Sequence, residues 1–240
     1  MPRLEHSHTP GAIARRLRHG PHVSYLRDWV YGGIDGTVTT FAIMAGVVGA
    51  SLSASVVVIL GVANLLADGF SMAAANYTGT KAEHDEYEQL RHMEERHIAL
   101  APEGEREEIR QIFQAKGFEG EALETAVGVI TNHRERWIDT MMAEEHGMPA
   151  AIRSPLKAAI MTFVSFVLCG AVPLVPYALM LPNPELPSAI MAGATFFGIG
   201  SLRSKWSPAP WWRAGLETLA IGMLAASVAY FVGDFLKGLI

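Results

Sequence analysis

The sequence predicts an all-α membrane protein: five transmembrane helices, with an acidic three-helix cytoplasmic module inserted between the second and third. Three observations carry that expectation. Half of the 240 residues are apolar and only 18% are charged, a balance that suits a polytopic membrane protein better than a soluble globule. Between Asp28 and Lys81 there is no lysine, arginine or glutamate. Residues 81–150 then hold 17 Asp/Glu against 8 Lys/Arg, a net of −9, while the rest of the chain is +4. The expected organisation is a basic N-terminal segment at 1–26, transmembrane helices 1–2 at 27–80, the acidic domain at 81–150, and transmembrane helices 3–5 at 151–240.

Apolar segments fall at about 28–50, 53–79, 156–181, 186–203 and 211–236. Each approaches or exceeds the ~20 residues that cross about 30 Å of hydrocarbon as a helix, the fourth being the shortest. With the N-terminus inside, Arg15, Arg16, Arg18, Arg27, Arg153, Lys157, Arg203, Lys205 and Arg213 fall on the cytoplasmic side. The opposite links carry no Lys or Arg, as the positive-inside rule requires. The acidic insert is thereby placed in the cytosol. Arginines precede the first apolar run, but no apolar stretch there resembles a cleavable signal peptide. Cys169 is the only cysteine, so one chain can build neither a disulfide framework nor a thiolate cluster. A basic nucleic-acid footprint is absent.

Within the insert, residues 80–100 extend the second span as far as Ala101-Pro102. A second helix covers 103–116, and a third covers 120–146 before Gly147. Ile109, Ile112, Phe113, Leu123, Val127, Ile130, Trp137, Ile138 and Met141 recur at helical spacing and form the expected core. Gly46, Gly49, the Ala73–Ala75 run, Gly193, Gly198 and Gly200 allow close helix packing in the spans. Pro173 and Pro176 are expected to kink the third span.

Candidate chemistry lies in two places. In the insert, Glu94 and His97, Glu105 and Glu108, and Met141 and Glu145 are pairs spaced three or four residues apart, each on one helix face. Carboxylate with imidazole suits divalent first-row metals, and a thioether selects against calcium and magnesium. The same glutamates also suit a solvated acidic helix surface. Glu94-Glu95-Arg96-His97 contains one E-x-x-H unit; a di-iron centre uses two, and the insert offers no second. In the spans, Asp35 interrupts the first apolar stretch. A carboxylate at mid-bilayer costs roughly 2.5–3.5 kcal/mol, which argues for ion or proton handling. Asn64, Asp68 and Met72 fall one turn apart as a stripe on the second span. His6, His8, His19 and His22 precede the first span and read as terminal surface or as a minor metal-handling element.

The motifs Tyr31-Gly32-Gly33-Ile34-Asp35-Gly36, Leu65-Leu66-Ala67-Asp68-Gly69-Phe70-Ser71-Met72-Ala73 and Trp137-Ile138-Asp139-Thr140-Met141-Met142-Ala143-Glu144-Glu145 resemble those of the vacuolar iron transporter family, from about Leu26 to near the C-terminus. The resemblance implies five spans, a homodimer, a three-helix cytoplasmic metal-binding module, and export of Fe²⁺ from the cytosol against protons. Mn²⁺ or Zn²⁺ are alternative substrates, and no prosthetic group is implied. By position, Asp35 and Met72 would line the path between subunits. Glu94, Glu105, Glu108, Met141 and Glu145 would collect metal. The chain departs from the family pattern at His97, where relatives commonly have Glu, and at Asn64, where many have a membrane glutamate. Asp68 is the candidate replacement for the latter in proton coupling. Nothing in the residues requires a vacuole, and a plasma (inner) membrane is the expected location. Two other functions fit parts of the pattern: a non-transporting metal buffer or sensor, and a ferroxidase.

Overall fold

A computed structural model describes residues 7–20, 23–148 and 152–239. Among the described residues the regular elements are all helices, and they divide into two compact units. One comprises Met1–Val23 and Lys81–Arg153, the other Ser24–Thr80 and Ser154–Ile240. In order, the helices are α1 (Pro10–His19), α2 (Leu26–Gly49), α3 (Ala54–Leu100), α4 (Pro102–Ala115), α5 (Gly120–Thr131), α6 (Arg134–Glu144), α7 (Pro155–Ala171), the single turn α8 (Val175–Ala178), α9 (Glu185–Arg203) and α10 (Trp211–Lys237).

In the second unit four helical stretches among the described residues are long and apolar enough to cross a membrane: Leu26–Gly49, the apolar part of α3, Pro155–Ala178, and α10. The fourth expected crossing, α9, is helical over 19 residues but falls outside that group. Gly193, Gly198, Gly200, Ser188, Thr195 and Ser201 dilute its hydropathy. Helix α3 runs 47 residues without interruption, more than twice the ~20 a crossing needs. No proline interrupts it between Ala54 and Leu100, and the helix stops just before Pro102. Ala101, which precedes that proline, turns out of the α region to φ −136°, ψ 52°, because the proline ring crowds the helical conformation of its predecessor.

Helix α2 is the centre of the membrane unit and packs most extensively against α7, then α10, then α9. Its glycines set the α7 contact. A Cβ on Gly32 would meet the Thr162 carbonyl oxygen at 2.4 Å, and one on Gly36 would meet that of Phe166 at 2.3 Å. No other residue type fits there, since backbones this close leave no room for a methyl group. On the α10 side Gly49 and Gly233 make equally short approaches. Of the glycines expected to mediate packing, Gly49 and Gly200 do so tightly and Gly46 and Gly193 more loosely, whereas Gly198 faces open space. The apolar core gathers Phe41, Met44, Val57, Phe166, Leu174 and Phe196, with Phe41 and Phe196 edge to face at 6.2 Å. The third apolar stretch bends as its prolines predict. Helix α7 gives way to a 3₁₀ turn at Val172–Leu174 and then to α8. The Pro173 carbonyl freed by the bend accepts the Ser188 hydroxyl at 2.6 Å.

The first unit carries the insert. Helix α4 closes on Gly117 at φ +92°, with the Phe118 N–H returning to the Phe113 carbonyl and the two rings edge to face at 5.5 Å. Ile109, Leu123, Val127, Trp137 and Met141 form its core, flanked by Ile112, Phe113 and Ile130, as the apolar periodicity predicts. The expected single helix over 120–146 is instead two, α5 and α6. His133 is extended (φ −129°, ψ 111°), and the Arg136 guanidinium donates to the Val129 carbonyl at 2.7 Å, satisfying an acceptor at the break. Thr131, Asn132 and His133 are weak helix formers in succession, and the apolar period continues across them because both helices face one core.

The glycine contacts give a direct test. Gly36→Ala is expected to lower stability by about 1–3 kcal/mol, the cost of overpacking a tight interface, whereas Gly198→Ala leaves it unchanged. Thermal unfolding of the purified protein in detergent checks both; equal melting temperatures for the two variants would contradict the packing.

Candidate metal centre

The insert brings acids and imidazoles together at one end of its core. Glu94 and His97 lie one turn apart near the end of α3, and Glu105 sits in the first turn of α4, just past the Ala101-Pro102 corner. Glu145 and His146 follow α6, where Gly147 takes φ +64° and the Met148 N–H returns to the Met142 carbonyl at 2.8 Å. The corner and this C-terminal wrap bring three separate chain segments to one place.

Two ligand groups result. Glu94, His97 and Glu105 offer ligand atoms all within 4.8 Å of one another, and so do Glu94, Glu145 and His146. Glu94 belongs to both. His146 Nε2 is 2.9 Å from Glu94 Oε1 and 3.8 Å from Glu145 Oε2, and His97 Nδ1 is 3.4 Å from Glu105 Oε1. Glu94 and Glu105 are almost fully buried, at 1% and 4% exposure, and the second oxygen of each has no donor in reach. Buried carboxylate oxygens without donors are costly, and a bound cation would satisfy them.

The electrostatics point the same way. Burial, followed by the negative charges of Glu108 and Glu94, pushes the Glu105 carboxyl up to about 7. Glu145 is also raised by burial and by Glu94 and Glu108, with His146 and His97 opposing. Glu108 itself is exposed, so its influence is that of a nearby charge at the rim. Met141 is fully buried among Ile109, Trp137 and the rest of the core, one turn before Glu145. His146 escapes a periodicity search because it lies beyond the last turn of α6, where face spacing no longer applies. The available signal was its place in Glu144-Glu145-His146, directly before the helix-stopping Gly147.

In the membrane unit, Asp35, Asn64, Asp68 and Met72 are all half-buried. The Asn64 amide donates to Thr39 Oγ1 at 3.0 Å, and that hydroxyl donates to the Asp35 carbonyl at 2.9 Å. Asp68 is close enough to Asp35 for their charges to repel. Asp35 opens onto a cleft of about 500 Å³ that Arg27, Tyr31, Arg203 and Trp206 also line. Asn64, Asp68 and Ser71 border a second, shallower one of about 560 Å³. Met72 packs against the apolar core.

The stripe continues beyond Met72. Two more steps of four residues reach Asn76 and Thr80. The Asn76 amide donates to Asp28 Oδ1 at 2.9 Å and Thr162 Oγ1 at 2.7 Å, and Thr80 donates to Asn76 Oδ1 at 3.3 Å. Asp28, Thr80 and Thr162 are buried, so this is a polar knot inside the unit. Of the four N-terminal histidines, His6 and His22 lie outside the described residues. His8 is exposed and His19 is the last residue of α1.

Comparison with known proteins identifies the family. The model of the VIT family matches residues 26–234. A vacuolar iron transporter of Toxoplasma gondii is 32% identical over 89% of this chain and 74% of its own length. Vacuolar iron transporter 1 of Arabidopsis thaliana is 31% identical over 85% of this chain and 83% of its own. A vacuolar iron transporter of Plasmodium falciparum is 28% identical over 88% and 82%. These relatives are named as transporters, not enzymes, and the family match covers both the apolar helices and the acidic cluster: the chain belongs to the VIT family.

Proposed function

We propose that this protein exports Fe²⁺, or another divalent first-row metal such as Mn²⁺, from the cytosol in exchange for protons. The observation that carries the reading is the pair of buried carboxylates, Glu94 and Glu105, each with one oxygen that no donor reaches, set among two imidazoles and Glu145. Five crossings are proposed, with α9 as the fourth and with the N-terminus and the acidic module (81–150) in the cytosol, an orientation that the Lys/Arg distribution supports. The family's named relatives support iron as substrate. The membrane proposed is the plasma (inner) membrane.

The steps follow from the charges. The insert, with its net of −9, concentrates cations at its surface. Metal then displaces the proton that Glu105 holds near neutral pH, since carboxylate and imidazole ligands bind only when deprotonated. His97, Glu145, His146 and the shared Glu94 complete the ligand set, with Glu108 adding charge at the rim and the Met141 thioether as a soft supplementary ligand. In the membrane Asp35, Asp68, Asn64 and Met72 form a sparse ladder that binds and releases. Protonation of its carboxylates on the far side drives release and returns protons inward. A half-buried polar stripe facing hydrocarbon would lack partners, which supports a homodimer with the path between two copies.

Transport is tested by Fe²⁺ entry into sealed proteoliposomes with an acidic lumen, with internal pH read in parallel. Metal entry with coupled alkalinisation is expected, and Asp35→Ala is expected to abolish flux while the full-length protein in detergent still binds metal. Metal binding without flux in the unaltered protein would make it a buffer or sensor instead.

The raised Glu105 carboxyl sets a pH dependence. Its value moves from 4.5 to about 7 on folding, so between those values the folded apo protein holds a proton the unfolded chain has released. The contribution of this group to apo stability is therefore present below about 4.5 and lost as pH rises toward 7. Metal binding is expected to release more protons at about pH 6 than at about pH 8. Glu105→Gln should reduce that difference in calorimetric titrations run in buffers of different ionisation enthalpy. Unchanged release at the lower pH would remove Glu105 as a ligand.

His146→Ala should weaken metal binding by the detergent-solubilised protein by at least about tenfold. An affinity equal to that of the unaltered protein would return His146 to a purely structural partner of Glu94.

A further inference from the structure

Helix α1 has a composition that neither metal binding nor transport uses. Its ten residues read Pro-Gly-Ala-Ile-Ala-Arg-Arg-Leu-Arg-His. On a helical wheel Pro10, Ile13, Ala14 and Leu17 share one face, and Arg15, Arg16 and Arg18 occupy the other. The helix has defined ends: Pro10 occupies the first turn behind an extended Thr9, and Gly20 leaves it at φ +62°. Leu17 is 71% exposed, Arg16 and Arg18 are exposed, and among the described residues α1 packs extensively against no other helix.

A helix this short is marginal in water, because nucleation is costly and few hydrogen bonds repay it. Its stability has to come from a surface that takes the apolar face. Two features indicate which surface. No Asp or Glu occurs from His6 through Arg27, so the segment is uniformly basic. It also precedes the first membrane-crossing helix by only six residues, so the chain itself delivers it to the bilayer. A basic amphipathic helix beside a span matches the charge of an anionic leaflet, and its apolar side chains reach the headgroup–acyl boundary.

We propose that α1 is an interfacial helix that docks on the anionic lipid surface of the bilayer. Ile13, Ala14 and Leu17 enter the acyl boundary, and Arg16 and Arg18 bind lipid phosphates. The occupant is the membrane itself, not a soluble protein or a nucleic acid.

The test uses the full chain in lipid nanodiscs, with Cys169→Ser as background and a single reporter thiol. Spin labels are attached at Leu17→Cys on the apolar face or at Gly11→Cys on the polar face, where a Cβ meets nothing within 4 Å. Accessibility to an aqueous relaxation agent is measured in phosphatidylcholine discs with and without phosphatidylglycerol. The expected result is shielding at position 17 but not at position 11, dependent on phosphatidylglycerol. Arg16→Gln with Arg18→Gln should weaken docking by about 30-fold, as removal of two surface-attracted charges implies. Water access at position 17 in both lipids would overturn the proposal. So would shielding that ignores both lipid charge and the two arginines, since that pattern belongs to a protein contact, either within the chain or with a second copy.

Discussion

The carbonyl oxygens of Thr162 and Phe166 occupy the space that side chains at Gly32 and Gly36 would fill, and the membrane unit is arranged around that approach. Apolar side chains gain little by leaving lipid for protein, so helix association in a bilayer depends on how closely backbones meet. With α7 pressed onto one face of α2 and α10 onto another, α2 has no freedom to rotate. Its rotation in turn fixes where Asp35 emerges. Gly36 follows Asp35 directly, so the residue that aims the carboxylate is adjacent to the one that locks the helix.

The acidic unit follows the opposite rule. Its core of Ile109, Leu123, Val127, Trp137 and Met141 is the stabilising part, and the neighbouring carboxylates oppose it. Glu94 and Glu105 are buried side by side with one oxygen of each lacking a donor, and a proton on Glu105 relieves their repulsion near neutral pH. Ion pairs such as Arg110 with Glu124 and Lys116 with Glu144 are confined to the exposed rim, where their net worth is small. No arginine or lysine pairs with Glu94 or Glu105 among the described residues, so the centre is left available to an external cation.

Much of this was legible in the residues. The hydropathy runs located the long helices, the Ala101-Pro102 step marked the end of α3, and the apolar period of the insert identified its core. The motifs around Asp35, Asp68 and Met141 pointed to the family, which the comparison with known proteins bears out. What was missed has physical reasons. The break at Asn132-His133 leaves the apolar period intact, because both helices share one core. His146 lies past a helix end, where its position depends on a turn and on the Met148–Met142 hydrogen bond. The tight glycines could not be told from Gly198, which faces open space, since that difference resides in the partner helix. Asn76 was within reach, as the fourth member of a stripe that was followed for three.

The sharing of Glu94 between the two ligand groups has a consequence for how such a unit fills. Two cations drawing on one carboxylate divide its charge, and they repel each other across it. The second ion therefore meets a weaker field than the first, and the two occupancies separate along the concentration axis. Independent sites would saturate over a narrow range. On the proposed function, the unit would thus grade its loading over a wider span of free metal than two independent sites of equal affinity.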